Sequence, residues 1–164
     1  MRPRFICFSI LALMLPLASH AENQPFQQGQ FSLGLGGGGG PGGFGLGLNV
    51  GYMALDGLEV SLGGSYWVFD ETNLIRITPG VRYIFVTGGS LMPYGGVFGR
   101  RWFFTDDAYD DITSLGGRGG TYIRAGRNAL LAIGVAYEHI LDCPSGLDEQ
   151  CSEIYPEFGL SILF

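Results

Sequence analysis

The chain has 164 residues, 46% apolar and only 15% charged, with a net charge of −6. Soluble domains carry about 25% charged residues, so the composition is unlike a water-solvated surface, and the acidity excludes nucleic acid as a partner. Beyond residue 21 there is no apolar run of about 18 residues, which excludes a membrane-spanning helix.

The N-terminus reads as a targeting segment. Arg2 and Arg4 precede an apolar run over residues 5–15, then Pro16 and the small-residue pattern Ser19-His20-Ala21. This is the layout of a secretory signal peptide, too short to span a membrane, with cleavage expected after Ala21. Cys7 lies in the discarded run. Residues 22–164 form one domain by size. It has no lysine, and losing Arg2 and Arg4 leaves seven arginines against fifteen acids.

The rest of the chain alternates, with turn chemistry between the alternating stretches. Phe31, Leu33 and Leu35 share one face of a first strand, and the glycine-rich stretch 36–43 is expected to interrupt it as a flexible loop. Phe44, Leu46, Leu48, Val50 and Tyr52 then alternate with Gly45, Gly47, Asn49 and Gly51. Successive strand residues point to opposite faces, so this is a strand with an apolar side and a small or polar side. Asp56-Gly57 is a tight hairpin signal. In the third strand Leu58, Val60, Leu62, Tyr66 and Val68 face away from Glu59, Ser61, Gly63 and Ser65, and residues 70–73 end it. The fourth sets Ile75, Ile77, Val81, Tyr83 and Phe85 against Arg76, Thr78, Gly80 and Arg82. Pro79 in its middle predicts a bulge.

After Gly88-Gly89-Ser90, a fifth strand sets Met92, Tyr94, Phe98 and Trp102 on the apolar face against Pro93, Gly95, Val97, Gly99 and Arg101. An acidic loop over 105–113 leads to a sixth strand, about 115–124, whose glycines leave its facing open. Gly126-Arg127-Asn128 turns the chain into a seventh, with Leu131, Ile133, Val135 and Tyr137 opposite Ala132, Gly134, Ala136 and Glu138. A loop over 140–152 precedes the last strand. There Ile154, Pro156, Phe158, Leu160, Ile162 and Phe164 share one face, and Tyr155, Glu157, Gly159, Ser161 and Leu163 the other.

Eight strands of about ten residues, apolar on one face, predict an all-β fold: an eight-stranded antiparallel up-and-down transmembrane β-barrel. Tight turns at Asp56, Gly88 and Gly126 alternate with connections at 36, 70, 105 and 140 that are mostly longer or charged. That places both termini and the tight turns on the periplasmic side and the longer loops outside. Tyr52, Tyr83, Phe85, Tyr94 and Phe164 would form one aromatic girdle, and Tyr66, Trp102, Phe104 and Tyr137 the other. A soluble barrel would reverse the pattern, with an apolar interior and a charged outside. Cys143 and Cys151, the two cysteines beyond the signal segment, are expected to pair in an oxidising compartment. The small ring would contribute about 2–3 kcal/mol.

The segment Glu157-Phe-Gly-Leu-Ser-Ile-Leu-Phe164 resembles the C-terminal assembly signal of bacterial outer-membrane barrels, with Glu157, Gly159, Ile162 and Phe164 matching its positions. Together with the signal peptide and the eight strands, this makes residues 22–164 similar to the small OmpA/OmpX-type barrels. The resemblance implies insertion into a Gram-negative outer membrane by the barrel-assembly machinery. The partners it implies are outer-membrane lipid and lipopolysaccharide, with the chain a monomer and its surface ligand unspecified.

A barrel of eight strands is just wide enough for side chains to fill it. The expected lumen charges are Glu59, Glu138 and Glu157 with Arg76, Arg82 and Arg101, which should pair because an isolated charge there is costly. An Arg–Glu plug implies a structural or surface-interaction role, and an ion path gated by the same pairs is the alternative. Arg100 and Arg101 fall near the outer interface and could meet lipopolysaccharide phosphates. Some small outer-membrane barrels resemble one another in a His-x-Ser pair that deacylates lipid A. Here His139 is followed two residues later by Leu141, so no nucleophile is expected beside the imidazole and no enzymatic activity follows. The acidic clusters Asp106, Asp107, Asp110, Asp111 and Asp142, Asp148, Glu149, Glu153 do not have the spacing of an EF-hand loop and read as solvated loops, with no metal or other cofactor. The five-glycine run lacks the Lys-Ser/Thr of a phosphate loop.

Overall fold

The computed structural model describes residues 24–40, 43–69, 73–104, 111–141 and 151–164; the expected signal peptide and most of the longer loops lie outside them. Eight strands follow in order: β1 (Phe31–Gly40), β2 (Gly43–Leu55), β3 (Leu58–Phe69), β4 (Asn73–Ile84), β5 (Leu91–Phe104), β6 (Ile112–Arg124), β7 (Ala129–Ile140) and β8 (Ser152–Leu163). Each pairs antiparallel with its neighbour in sequence, and β1 pairs with β8, so the sheet closes on itself. The seam ends in a reciprocal backbone pair: Phe164 N–H donates to Phe31 O at 2.9 Å and Phe31 N–H to Phe164 O at 3.3 Å. Closure removes the sheet edges that would otherwise present unpaired backbone groups.

The outward face is mostly apolar. Leu46, Leu62, Val97, Val135, Phe158 and Phe164 are among its exposed side chains, and so large an apolar surface is foreign to a water-soluble monomer. The inward face carries the small, polar and charged residues of the same alternation. The tight turns 56–57, 85–90 and 125–128 and both chain ends of the barrel lie at one end, the turn end; the loop end is opposite. At the turn 56–57, Gly57 adopts φ of +75°, a conformation that favours glycine, and the adjoining ladder shifts register between Met53 and Leu55.

Two strand expectations are corrected. The glycine run is not a loop: residues 36–40 continue β1, paired with Gly43 to Gly47 of β2, and Gly36 and Gly37 also pair with Gly159 and Phe158 of β8. Glycine is weak in a strand because it contributes no side-chain packing, but here the ladder to β2 holds the whole run and the ladder to β8 holds its first two residues. Pro79 makes no bulge either. It pairs with Leu62 without a register shift, and the β4–β5 ladder lapses only at Thr78 and Pro79, resuming in the same register at Gly80 and Phe98. A missing N–H costs a ladder bond and need not add a residue.

A third correction concerns β5, which faces the opposite way from the expectation. Met92, Tyr94 and Phe98 are buried in the lumen, while Leu91 and Val97 are exposed. Reading apolar residues as lipid-facing fails here because a narrow lumen also needs bulky side chains to fill it. Trp102 points inward with them and Tyr94 is buried, so neither belongs to an aromatic girdle. Strand β6, whose facing the sequence leaves open, turns Ser114, Gly116, Arg118, Gly120 and Tyr122 inward.

Candidate functional site: the barrel lumen

The lumen is built in layers from the turn end upward. At the bottom, Phe26, Met53, Ile84, Met92, Tyr94, Tyr122, Leu130 and Leu163 form one buried apolar cluster. Phe26 comes from the short segment before β1. Its backbone sits at φ of +65°, a strained conformation for a bulky residue. The surroundings hold it there. Phe26 O accepts from Gly57 N–H at 2.8 Å, Gln28 N–H donates to Asp56 Oδ1 at 2.8 Å, and Gly29 N–H donates to Met53 O at 2.9 Å. The Phe26 ring packs on Tyr122 with centroids 5.0 Å apart, and Tyr122 on Tyr94 at 5.1 Å.

Above this cluster Glu59 forms an ion pair with Arg82 Nε and accepts from Ser32 Oγ. Arg82 also donates to Tyr122 Oη at 2.6 Å. In the middle, Arg118 lies 3.6 Å from Glu157 and stacks over Phe98 at 4.2 Å. Towards the loop end, Glu138 accepts from Arg100 and Ser114, and from Tyr155 Oη at 2.9 Å. Arg100 donates further to Thr78 Oγ1 at 3.1 Å and to Tyr155 Oη at 2.9 Å. Beside this layer, Arg76 is clasped between the rings of Trp67 and Trp102, at 4.1 and 4.0 Å.

Glycines opposite the bulky groups give them room. A Cβ on Gly134 would lie 2.5 Å from Tyr94 Oη and 2.6 Å from the Gly119 carbonyl, and one on Gly96 would lie 2.6 Å from Arg82 Cβ. The strands thus alternate small and large residues across the lumen, as close packing in so narrow a tube requires.

Of the charges expected in the lumen, Glu59, Arg76, Arg82, Glu138 and Glu157 are there, and the structure pairs Glu59 with Arg82. Arg101 is not. It is 55% exposed on the outer face, 3.3 Å from Asp111. Its neighbour Arg100, expected at the lipid interface, instead points into the lumen with 9% exposure, so only Arg101 remains where lipopolysaccharide could reach it. Both corrections follow from the reversed facing of β5. Arg118 was missed because the glycines of β6 conceal the alternation that would have turned it inward.

The expectation about His139 is also corrected. His139 and Ser152 are directly opposite on β7 and β8, and Ser152 Oγ lies 2.8 Å from His139 Nδ1. Tyr137 Oη donates to the same hydroxyl at 3.1 Å. A search two residues along one strand cannot find a partner across a ladder. The pair lacks an acid partner for the imidazole among the described residues, and this leaves it short of a catalytic triad. Cys151 is buried at the start of β8; Cys143 lies outside the described residues. Of the terminal pattern, Glu157 faces the lumen, whereas Ile162 and Phe164 face outward.

A closed eight-stranded barrel with an apolar outside and a packed polar inside is the architecture of the small outer-membrane barrels. The N-terminal β-barrel domain of Pseudomonas aeruginosa OprF superposes with a TM-score of 0.64 at 18% identity, over 84% of this chain and 98% of that one. Neisserial surface protein A gives 0.58 at 18% identity, over 82% and 95%. A de novo designed transmembrane β-barrel gives 0.52 at 17% identity, over 87% and 99%. A sequence designed without ancestry matches nearly as well as the natural ones, so the likeness is one of fold. No family model matches the chain, and no curated protein sequence does.

Proposed function

We propose that the chain is an integral outer-membrane protein with a closed lumen, playing a structural or surface-interaction role through the loops at its loop end. The observation that carries this reading is the packing of the lumen, from the apolar cluster around Phe26 through three Arg–Glu pairs. A narrow tube crossed by an apolar cluster at the turn end and by paired charges above it leaves no continuous polar path. In this reading a cleaved signal peptide exports the chain, the turn end faces the periplasm, and a Cys143–Cys151 disulfide braces the last external loop. An envelope-lipid hydrolase is the weaker reading, because among the described residues His139 has no carboxylate behind it to orient the imidazole.

Planar-bilayer recording of the refolded protein tests the closed lumen. The expected trace has no discrete conductance steps; steps would favour a small gated channel instead. The role of Phe164 as part of an assembly signal is tested by deleting it. Membrane levels should fall more than the stability of the molecules that do insert, and unchanged levels would remove that role.

A further inference from the structure

The lumen holds four arginines and three glutamates, and the bookkeeping leaves one cation over. Arg82 is paired with Glu59, Arg100 with Glu138 and Arg118 with Glu157. Arg76 forms no ion pair among the described residues. Glu153, at the exposed rim, forms none either, and Glu138 is already engaged by Arg100, Ser114 and Tyr155. An unpaired charge in a low-dielectric interior is disfavoured unless something supplies the missing partner.

The setting of Arg76 shows what would fit. Its guanidinium carbon lies over two indole rings, 4.1 Å from the centroid of Trp67 and 4.0 Å from that of Trp102. With two rings against it, the guanidinium offers a ligand its planar N–H edge, the edge that binds carboxylate or phosphate through parallel hydrogen bonds. Two buried donors, Arg76 Nε and Trp102 Nε1, have no acceptor. The stacking orders the side chain in advance and thereby reduces the entropy lost on binding. Arg76 is the fourth residue of β4 from the loop end, directly opposite Ser65 and Trp102, so a small solute would reach it from the loop side.

We propose that the loop end of the lumen contains a binding site for a small oxyanion, a carboxylate or a phosphate, centred on the edge of Arg76 between Trp67 and Trp102. The site lies above the seal at the turn end and does not depend on conduction or on the role of the loops.

Trp67 and Trp102 are the only two tryptophans in the chain, so fluorescence of the refolded protein in non-ionic detergent, excited at the red edge where tyrosine does not absorb, reports on this site. Inorganic phosphate and acetate are titrated against chloride at constant ionic strength. The expected result is a saturable change with at least one oxyanion, weakened at least about tenfold in Arg76→Gln, as loss of a charge-assisted hydrogen bond requires. Arg101→Gln, on the outer face, should leave the response intact. If Arg76→Gln fails to fold, Arg76→Lys keeps the charge but not the planar edge, and its response should still be weaker. No saturable change in the wild type, or an undiminished one in either Arg76 variant, would overturn the site. So would an anion-free spectrum that shifts in Asp70→Asn or Glu71→Gln while the wild type ignores phosphate, because a loop carboxylate would then be the occupant.

Discussion

At the turn end, Phe26, Met53, Ile84, Met92, Leu130 and Leu163 meet in one buried apolar cluster, and Glu59 directly above it is 1% exposed. At the loop end the closing groups are Arg76, Arg100, Glu138 and Tyr155, held by stacking and hydrogen bonds, with two buried donors left without acceptors. Both ends are filled, yet by opposite means. Apolar packing gains from every atom removed from water and asks for no partner. A polar cluster is stable only insofar as each member is satisfied. The turn end should therefore be the rigid end, and the loop end the one that can accept a solute or rearrange.

The largest expected effect comes from destroying the fit that both ends share. Gly134→Val would drive a side chain into Tyr94 Oη and the Gly119 carbonyl, and backbone there cannot yield. Refolding should fail, read as loss of the heat-modifiable band on a gel. Gly64→Ala, where nothing lies within 4 Å, should refold normally. Next is Glu59→Ala, which strands Arg82 in the most buried layer. Breaking a buried pair costs about 3–5 kcal/mol, seen as a lower urea midpoint for the refolded barrel. Glu138→Ala should cost less, about 1.5–3 kcal/mol, because Arg100 keeps Thr78 and Tyr155. Equal losses at the two sites would erase the contrast between the ends. Phe26→Ala removes the lowest ring at about 3 kcal/mol. It should not open conductance, since the Arg82–Glu59 layer remains above it.

The strand count, the order and the closed barrel were legible because alternation survives wherever lipid and lumen differ in chemistry. β2, β3, β7 and β8 could be read residue by residue. β5 could not: Met92, Tyr94 and Phe98 are apolar residues with a lumen job, and hydropathy alone has no way to distinguish filling from facing lipid. β6 hid Arg118 behind glycines on both faces. The lumen site was legible in kind, as an Arg–Glu plug, but not in its pairing. Pairing depends on which rungs the shear of the barrel brings level, as with Arg100 of β5 meeting Glu138 of β7. The segment carrying Phe26 left no periodic signal, and its place is set by tertiary bonds to the turn at Asp56 and Gly57.

The smallest expected effect tests the corrected facing most directly. Arg100 and Arg101 are adjacent in sequence, carry the same charge and point to opposite sides of one strand. Arg101 and Asp111 are 55% and 38% exposed and 3.3 Å apart. An ion pair so open to solvent is worth about 0–1 kcal/mol and weakens in salt. Arg101→Ala should therefore shift the urea midpoint barely at all, and less in high salt than in low. Arg100→Ala removes the partner of a buried glutamate, and added salt should hide little of the loss, because a buried pair is screened much less than an exposed one. If the two substitutions cost the same, or if Arg101→Ala is the more damaging, β5 has the facing that its apolar residues first suggest, and the loop-end cluster falls with it.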